Sequence, residues 1–126
     1  MKKVIHTPQA PAPIGPYSQA MIAGNMMFAS GQIAINPENG ELVIHDIVAE
    51  THQVMRNIGA LLHAAGITYG HIVKTSIFLK DMNQFTQVNE IYGSYFSQNF
   101  PARETVQVSK LPKDVNVEIS VTALMT

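Results

Sequence analysis

The chain has 126 residues, 46% of them hydrophobic and 13% charged, with a formal net charge of −1 and no cysteine. That length fits one domain, residues 1–126, with enough interior to fold without staples. Without cysteine there are no disulfides, thiolate nucleophiles or cysteine-held metal clusters, and without a basic run beyond Lys2 and Lys3 a nucleic-acid partner is not expected.

The two lysines are not followed by the apolar run of a secretory leader, and no stretch approaches the roughly 18 apolar residues of a membrane span. The sequence therefore predicts a cytoplasmic protein with no membrane contact. Residues 4–5 read as a short first strand. Residues 8–16 hold four of the seven prolines and read as extended loop. A strand is predicted over 17–23, a two-residue hairpin turn at Gly24 and Asn25, and a partner strand over 26–35. Strict alternation in that partner places Met26, Phe28, Ser30 and Gln32 on one face and Met27, Ala29, Gly31 and Ile33 on the other. The run NPENG at 36–40 is a turn cluster, and residues 42–44 read as a brief strand.

Residues 46–65 form the clearest helix. Ile47, Thr51, Val54, Ile58, Leu61 and Ala65 recur at spacings of three and four, with Asp46 as N-cap and Gly66 as the residue that ends it. β-Branched residues mark a strand over 72–79. Asn83 caps a second predicted helix over 84–97, whose apolar stripe is Phe85, Val88, Tyr92 and Tyr95. Strands follow over 104–109 and 115–123. The last alternates without a break, with Val117, Ile119, Val121 and Ala123 set against Glu118, Ser120 and Thr122. The order β-β-β-α-β-α-β-β predicts an α+β fold, a sheet with two helices on one face. The other face would carry Ser30, Gln32, Thr105, Gln107, Glu118 and Ser120. That face is polar yet scarcely charged, suited to solvent or to wet pockets against other subunits.

Several side chains could carry chemistry. Arg103 stands in FPARET, between a loop and a strand, where a guanidinium either lies on the surface or grips a carboxylate through two parallel hydrogen bonds. Glu118 is an acid inside an apolar alternation, which fits either a wet face or a carboxylate that orients water and moves protons. Tyr17, at a strand start, could pack or close a pocket. Asn89, beside the second helix's stripe, reads most simply as bonding nearby backbone. His6, His45, His52, His63 and His71 form no i, i+4 pair and no His-Glu-x-x-His, so no metal site is expected. There is no Gly-x-Ser-x-Gly elbow and no phosphate-binding glycine loop.

Three segments together are more specific than any single residue: IGPYSQA at 14–20, ASGQIAINPENGEL at 29–42 and PARETVQVSKLPKDVNVEIS at 101–120. With VKTSIFLKDM at 73–82 and VNEIYGSYF at 88–96, they resemble the reactive-intermediate deaminase family (Rid, or YjgF) along essentially the whole chain. The resemblance implies a chorismate-mutase-like fold (bacillus type) and a homotrimer. Three sheets would form a barrel-like core, with helices outside and active sites in clefts between neighbouring subunits. It further implies hydrolysis of 2-iminobutanoate and 2-iminopropanoate to 2-ketobutanoate or pyruvate plus ammonia. No metal or organic cofactor would be needed, and the ligand would be a small 2-imino or 2-keto acid.

Carried over by position, Arg103 would hold the substrate carboxylate, Glu118 would place the attacking water, and Tyr17 would line the pocket. Ser30, Gly31, Asn89 and Thr105 would bind substrate. Two positions depart from the family's pattern: Thr105, where many members have cysteine, and Ser120, where a second acid is usual. The alternative is a non-catalytic trimer that binds small carboxylates. A nucleic-acid-acting protein is disfavoured by the charge and by the missing aromatic–basic platform.

Overall fold

The unbroken alternation near the C-terminus becomes the centre of the molecule. The computed structural model describes residues 1–126. Its strands are β1 (Lys2–Ile5), β2 (Ala20–Ala23), β3 (Met26–Gln32), β4 (Ile72–Leu79), β5 (Ala102–Gln107) and β6 (Val117–Leu124), with helices α1 (Ile47–Ala64) and α2 (Phe85–Gly93). They form one sheet of order β1-β2-β3-β6-β4-β5. All neighbours are antiparallel except β4 and β5, which run parallel and are joined through α2. This is the α+β arrangement expected from the element order, with both helices on one face.

The covered face explains the apolar half of each strand. Met27 of β3, Ile77 and Leu79 of β4, and Val117 and Ile119 of β6 pack against Val54, Met55, Ile58, Leu61 and Leu62 of α1, all at 1% exposure or less. Each such side chain contributes about 1.5–3 kcal/mol of transfer free energy. Helix α1 starts and stops as its sequence dictates. The Asp46 carboxylate accepts from the Ala49 amide at 2.7 Å. At the other end Gly66 takes φ +80°, its amide donates to His63 and the Ile67 amide donates to Leu62, closing the helix in a Schellman turn. No helix is long and apolar enough to cross a membrane.

The structure corrects the sequence reading in several places. First, β2 begins at Ala20 and not at residue 17. The Gln19 side chain is buried and pins the proline loop, donating to the carbonyls of Thr7, Ala10 and Pro11 and accepting from the Thr7 amide. Second, β3 carries a bulge. Ala29 pairs with Val121 and Gln32 with Ile119, so three residues of β3 span two of β6. The extra residue turns Gln32 into the core and leaves Ser30 and Gly31 both on the uncovered side. Third, α2 stops at Gly93 because the next residues are recruited by rings: Tyr95 stacks on Tyr69 at 5.2 Å and Phe96 packs on Tyr92 at 5.0 Å. Its entry is a 3₁₀ turn, Met82–Gln84, capped by Asp81 and not by Asn83. Fourth, the parallel register sets Thr105 beside Ile77 and Gln107 beside Leu79. These two therefore lie on the helix side, not on the polar face assigned to them. The stretch at 42–44 forms only an isolated bridge, Ile35 to Leu42.

Candidate functional site: two half-sites on opposite faces of the sheet

The β3 bulge and the start of β6 open a cavity of about 580 Å³ on the uncovered side. Its walls come from the proline loop (Pro11, Ile14, Tyr17), the bulge (Ser30, Gly31), the segment after it (Ile33, Ile35) and the turn at Lys113. Glu118 lies at the base, on β6 between the fully buried Val117 and Ile119. Its side chain rests directly on the Gly31 backbone. A Cβ built there would stand 2.8 Å from the Glu118 Cδ and nearer still to Oε2, so position 31 must be glycine for the carboxyl to sit there. No hydrogen bond reaches that carboxyl. Burial alone pushes it above the ordinary carboxylate range, which makes it a stronger base than a solvated glutamate. Ser30 donates its hydroxyl proton to the Ser18 carbonyl at 2.6 Å, so toward the cavity its oxygen can only accept. Tyr17 is half-exposed at the rim, its hydroxyl accepting from the Ile14 amide at 3.3 Å.

Arg103 is elsewhere. It pairs across the ladder with Thr75, whose buried hydroxyl bonds the Tyr92 hydroxyl of α2 at 2.9 Å. Arg103 therefore leaves the sheet on the helix side. Its guanidinium lies over two rings, 5.2 Å from the Tyr92 centroid and 5.5 Å from that of Phe85. Its Nη1 donates to Asn89 Oδ1 at 2.6 Å. Rings and amide fix the plane of the fork, and Arg103 lines a second cavity of about 330 Å³ together with Asn89, Tyr92, Phe100 and Pro101. Thr105 follows two residues along β5 on the same side. Its Oγ1 is buried and has no hydrogen-bond partner.

The seven candidate residues thus fall into two groups. Tyr17, Ser30, Gly31 and Glu118 share one cavity; Arg103 and Asn89 share another, with Thr105 on the same side of the sheet but outside its lining. The two cavities have no lining residue in common, and β4 runs between the strands that carry Arg103 and Glu118. A single copy cannot bring this guanidinium and this carboxyl to one small molecule. Sequence reasoning missed Gln19, Phe85 and Tyr92 as supports. Gln19 lies inside IGPYSQA, but neither its type nor its spacing marks a buried clamp.

The α+β sheet with this element order is the fold of the Rid proteins, the class to which the chain's similarity extends along its whole length. The chain belongs to the family described as Endoribonuclease L-PSP, whose model matches residues 7–125. It is 53% identical over 123 residues to a RutC family protein of Pyrococcus horikoshii, covering 98% of both chains. To the 2-iminobutanoate/2-iminopropanoate deaminase of Escherichia coli it is 47% identical over 127 residues, again covering 98% of each. Among solved structures, a Rid family protein from Yersinia pestis superposes with a TM-score of 0.96 at 53% identity, covering 98% of this chain and 99% of that one.

Proposed function

We propose that this protein hydrolyses small 2-imino acids, 2-iminobutanoate and 2-iminopropanoate, to the 2-keto acids and ammonia, at sites assembled between copies in a homotrimer. The observation that carries the reading is the Glu118 carboxyl, desolvated and without a donor on the floor of an open cavity. A carboxyl so placed has no structural task that an apolar side chain would not perform better. It suits a group that takes and returns a proton.

The chemistry asks little of the protein. A protonated imine is already electrophilic at C2. In the proposed step a water adds to C2, and Glu118 accepts its proton, giving the carbinolamine. The same carboxyl then returns the proton to nitrogen; as the C–N bond breaks and ammonia leaves, the ionised carboxylate takes the hydroxyl proton, the keto group forms, and that proton passes on to the departing ammonia. One water is consumed and no redox change occurs. The Ser30 oxygen, able only to accept, matches the N–H of the iminium. The remaining donors of Arg103 match the substrate carboxylate, and fixing both ends of so small a molecule supplies most of the orientation needed.

The partition of the residues supports sharing between copies. Arg103 and Asn89 of one subunit would close over Glu118, Tyr17, Ser30 and Gly31 of the next. The uncovered sheet face also exposes Val4, Phe28 and Val106, each above 40% exposure, beside the Lys74–Glu104 ion pair at 2.9 Å. Such a face fits burial against further copies. The test is to generate the imine in place with a threonine dehydratase and follow its decay. Wild type accelerates the decay and Arg103→Ala does not. Light scattering then gives about three times 13.8 kDa. A trimer that binds 2-ketobutanoate but leaves imine decay unchanged would instead be a non-catalytic carboxylate binder.

A further inference from the structure

Helix α1 carries three buried polar residues that its apolar stripe does not explain: Glu50 at 0% exposure, Gln53 at 8% and Asn57 at 1%. They recur at i, i+3 and i+7 and so share one face over about 10 Å of helix. Burying such groups is costly unless each donor and acceptor is met. Glu50 and Asn57 reach segments that frame the Glu118 cavity, while Gln53 bonds within α1, to Asn57 and Arg56.

At one end, Glu50 Oε2 accepts from the amides of Asn116 (2.7 Å) and Val117 (3.1 Å), and Oε1 accepts from Asn116 Nδ2 at 2.7 Å. Three donors and no acceptor face it, which matches a carboxylate. These donors belong to the two residues just before Glu118. At the other end, Asn57 Nδ2 donates to the carbonyls of Ile33 (3.1 Å) and Ile35 (2.9 Å). Gln53 Nε2 donates to Asn57 Oδ1 at 2.9 Å and so fixes which way that amide points. Ile33 and Ile35 belong to the wall of the cavity and Glu118 to its floor.

An apolar ridge would pack here without desolvation cost, but would not fix direction or register as hydrogen bonds do. We infer that Glu50 and Asn57 are positioning residues: α1 acts as a rigid bar that sets the spacing between the cavity's wall and its floor. Glu50 fixes the strand start that aims Glu118. Asn57 fixes the wall at residues 33–35, against which the substrate's side chain lies. This assignment rests on the imine-hydrolase reading of the cavity.

The two ends predict different kinetic signatures. Glu50→Asp keeps the charge but shortens the reach by one methylene, drawing the strand start inward. It lowers kcat by on the order of 10- to 100-fold while KM changes little. Glu50→Gln keeps the length. Its oxygen still serves the two amides and Asn116 turns its own amide to suit, so kcat recovers most of the wild-type value. Asn57→Ala frees the wall instead. KM rises and the preference between 2-iminopropanoate and bulkier branched imines narrows, with kcat little changed. Full-length variants are compared by imine decay and by thermal melting. Lower melting temperatures with unchanged kcat, KM and size preference would reduce both residues to structural roles and overturn the assignment, as would a Glu50→Asp variant as active as Glu50→Gln. If wild type hydrolyses no imine, the functional reading falls and backbone amide NMR decides the positioning. The Glu118 resonance must then move in Glu50→Asp and those of residues 33–35 in Asn57→Ala; unmoved resonances would overturn it.

Discussion

Replacing Gly31 with alanine adds one carbon where the site has no room for it. The new Cβ would stand 2.8 Å from the Glu118 Cδ and 3.1 Å from its Cγ. Carbon atoms rest at about 3.5–4.0 Å, so the carboxyl must retreat by roughly 1 Å. The backbone at Gly31 needs no left-handed conformation, so the effect is one of space. Glu118 can rotate toward the open cavity, which keeps the stability cost to about 1–3 kcal/mol at most. Catalysis has no such escape, because a displacement of about 1 Å costs on the order of 100-fold when a water must be aimed at one carbon. Steady-state imine decay should therefore show kcat down by roughly 10- to 100-fold. KM should stay near wild type, since in the proposed trimer the substrate carboxylate is held by the Arg103 fork of the neighbouring copy, which the new methyl group leaves in place. Calorimetry run alongside separates misplacement from unfolding. A folded Gly31→Ala protein with wild-type kcat would refute the contact's role and, with it, the assignment of Glu118 as the proton carrier.

Burial raises the Glu118 carboxyl, so the folded protein holds this proton more tightly than the unfolded chain does. Stability from that group is present below the ordinary value of 4.5 and is lost as pH rises through the raised folded value. Glu118→Gln should therefore melt higher than wild type at pH 8, with the gap closing toward pH 4, while losing imine hydrolysis. A lower melting point at pH 8 would contradict the desolvation argument. Arg103→Lys keeps a positive charge but loses the fork and its seat on Phe85 and Tyr92. KM for the imine should rise nearly as far as in Arg103→Ala, a loss of about 2–5 kcal/mol of binding if the pair is buried. Lysine restoring wild-type KM would mean that charge alone suffices. Asp46→Ala removes the cap of α1 and should cost about 1 kcal/mol, seen as a fall of a few degrees in melting temperature with activity retained.

Features decided within a few residues could be read from the sequence. Strand β4 falls on the predicted residues 72–79, and Asp46 and Gly66 bound α1 as their types require. Long-range features could not. Nothing in residues 26–35 announces that three residues of β3 must span two of β6; Gly31 is the only local sign, and alternation assigns Gln32 to the wrong face. The register of β5 follows from how far α2 carries the chain before it returns parallel to β4, so Thr105 and Gln107 could not be placed from their own strand. The end of α2 is set by stacking between Tyr95 and Tyr69, 26 positions apart in sequence. Arg103, Glu118, Tyr17 and Asn89 stood out by type and position, but their roles, and the choice of Ser30, Gly31 and Thr105, came from resemblance. Their division between two faces depends on ladder partners that no motif encodes. Glu50, Gln53 and Asn57 stayed hidden because a polar residue beside an apolar stripe reads as solvated surface until its partners are seen.

In the proposed trimer, Arg103 from one copy and Glu118 from another act on the same molecule. Mixing two inactive variants tests it directly. Arg103→Ala and Glu118→Ala chains are unfolded together, refolded at equal amounts and assayed for imine decay. If the site is shared, a subunit with intact Glu118 next to one with intact Arg103 rebuilds a whole site, and random assembly restores about one quarter of wild-type activity. If the mixture stays as inactive as either variant alone, although light scattering shows that the chains have exchanged, the two groups do not meet and the account is wrong.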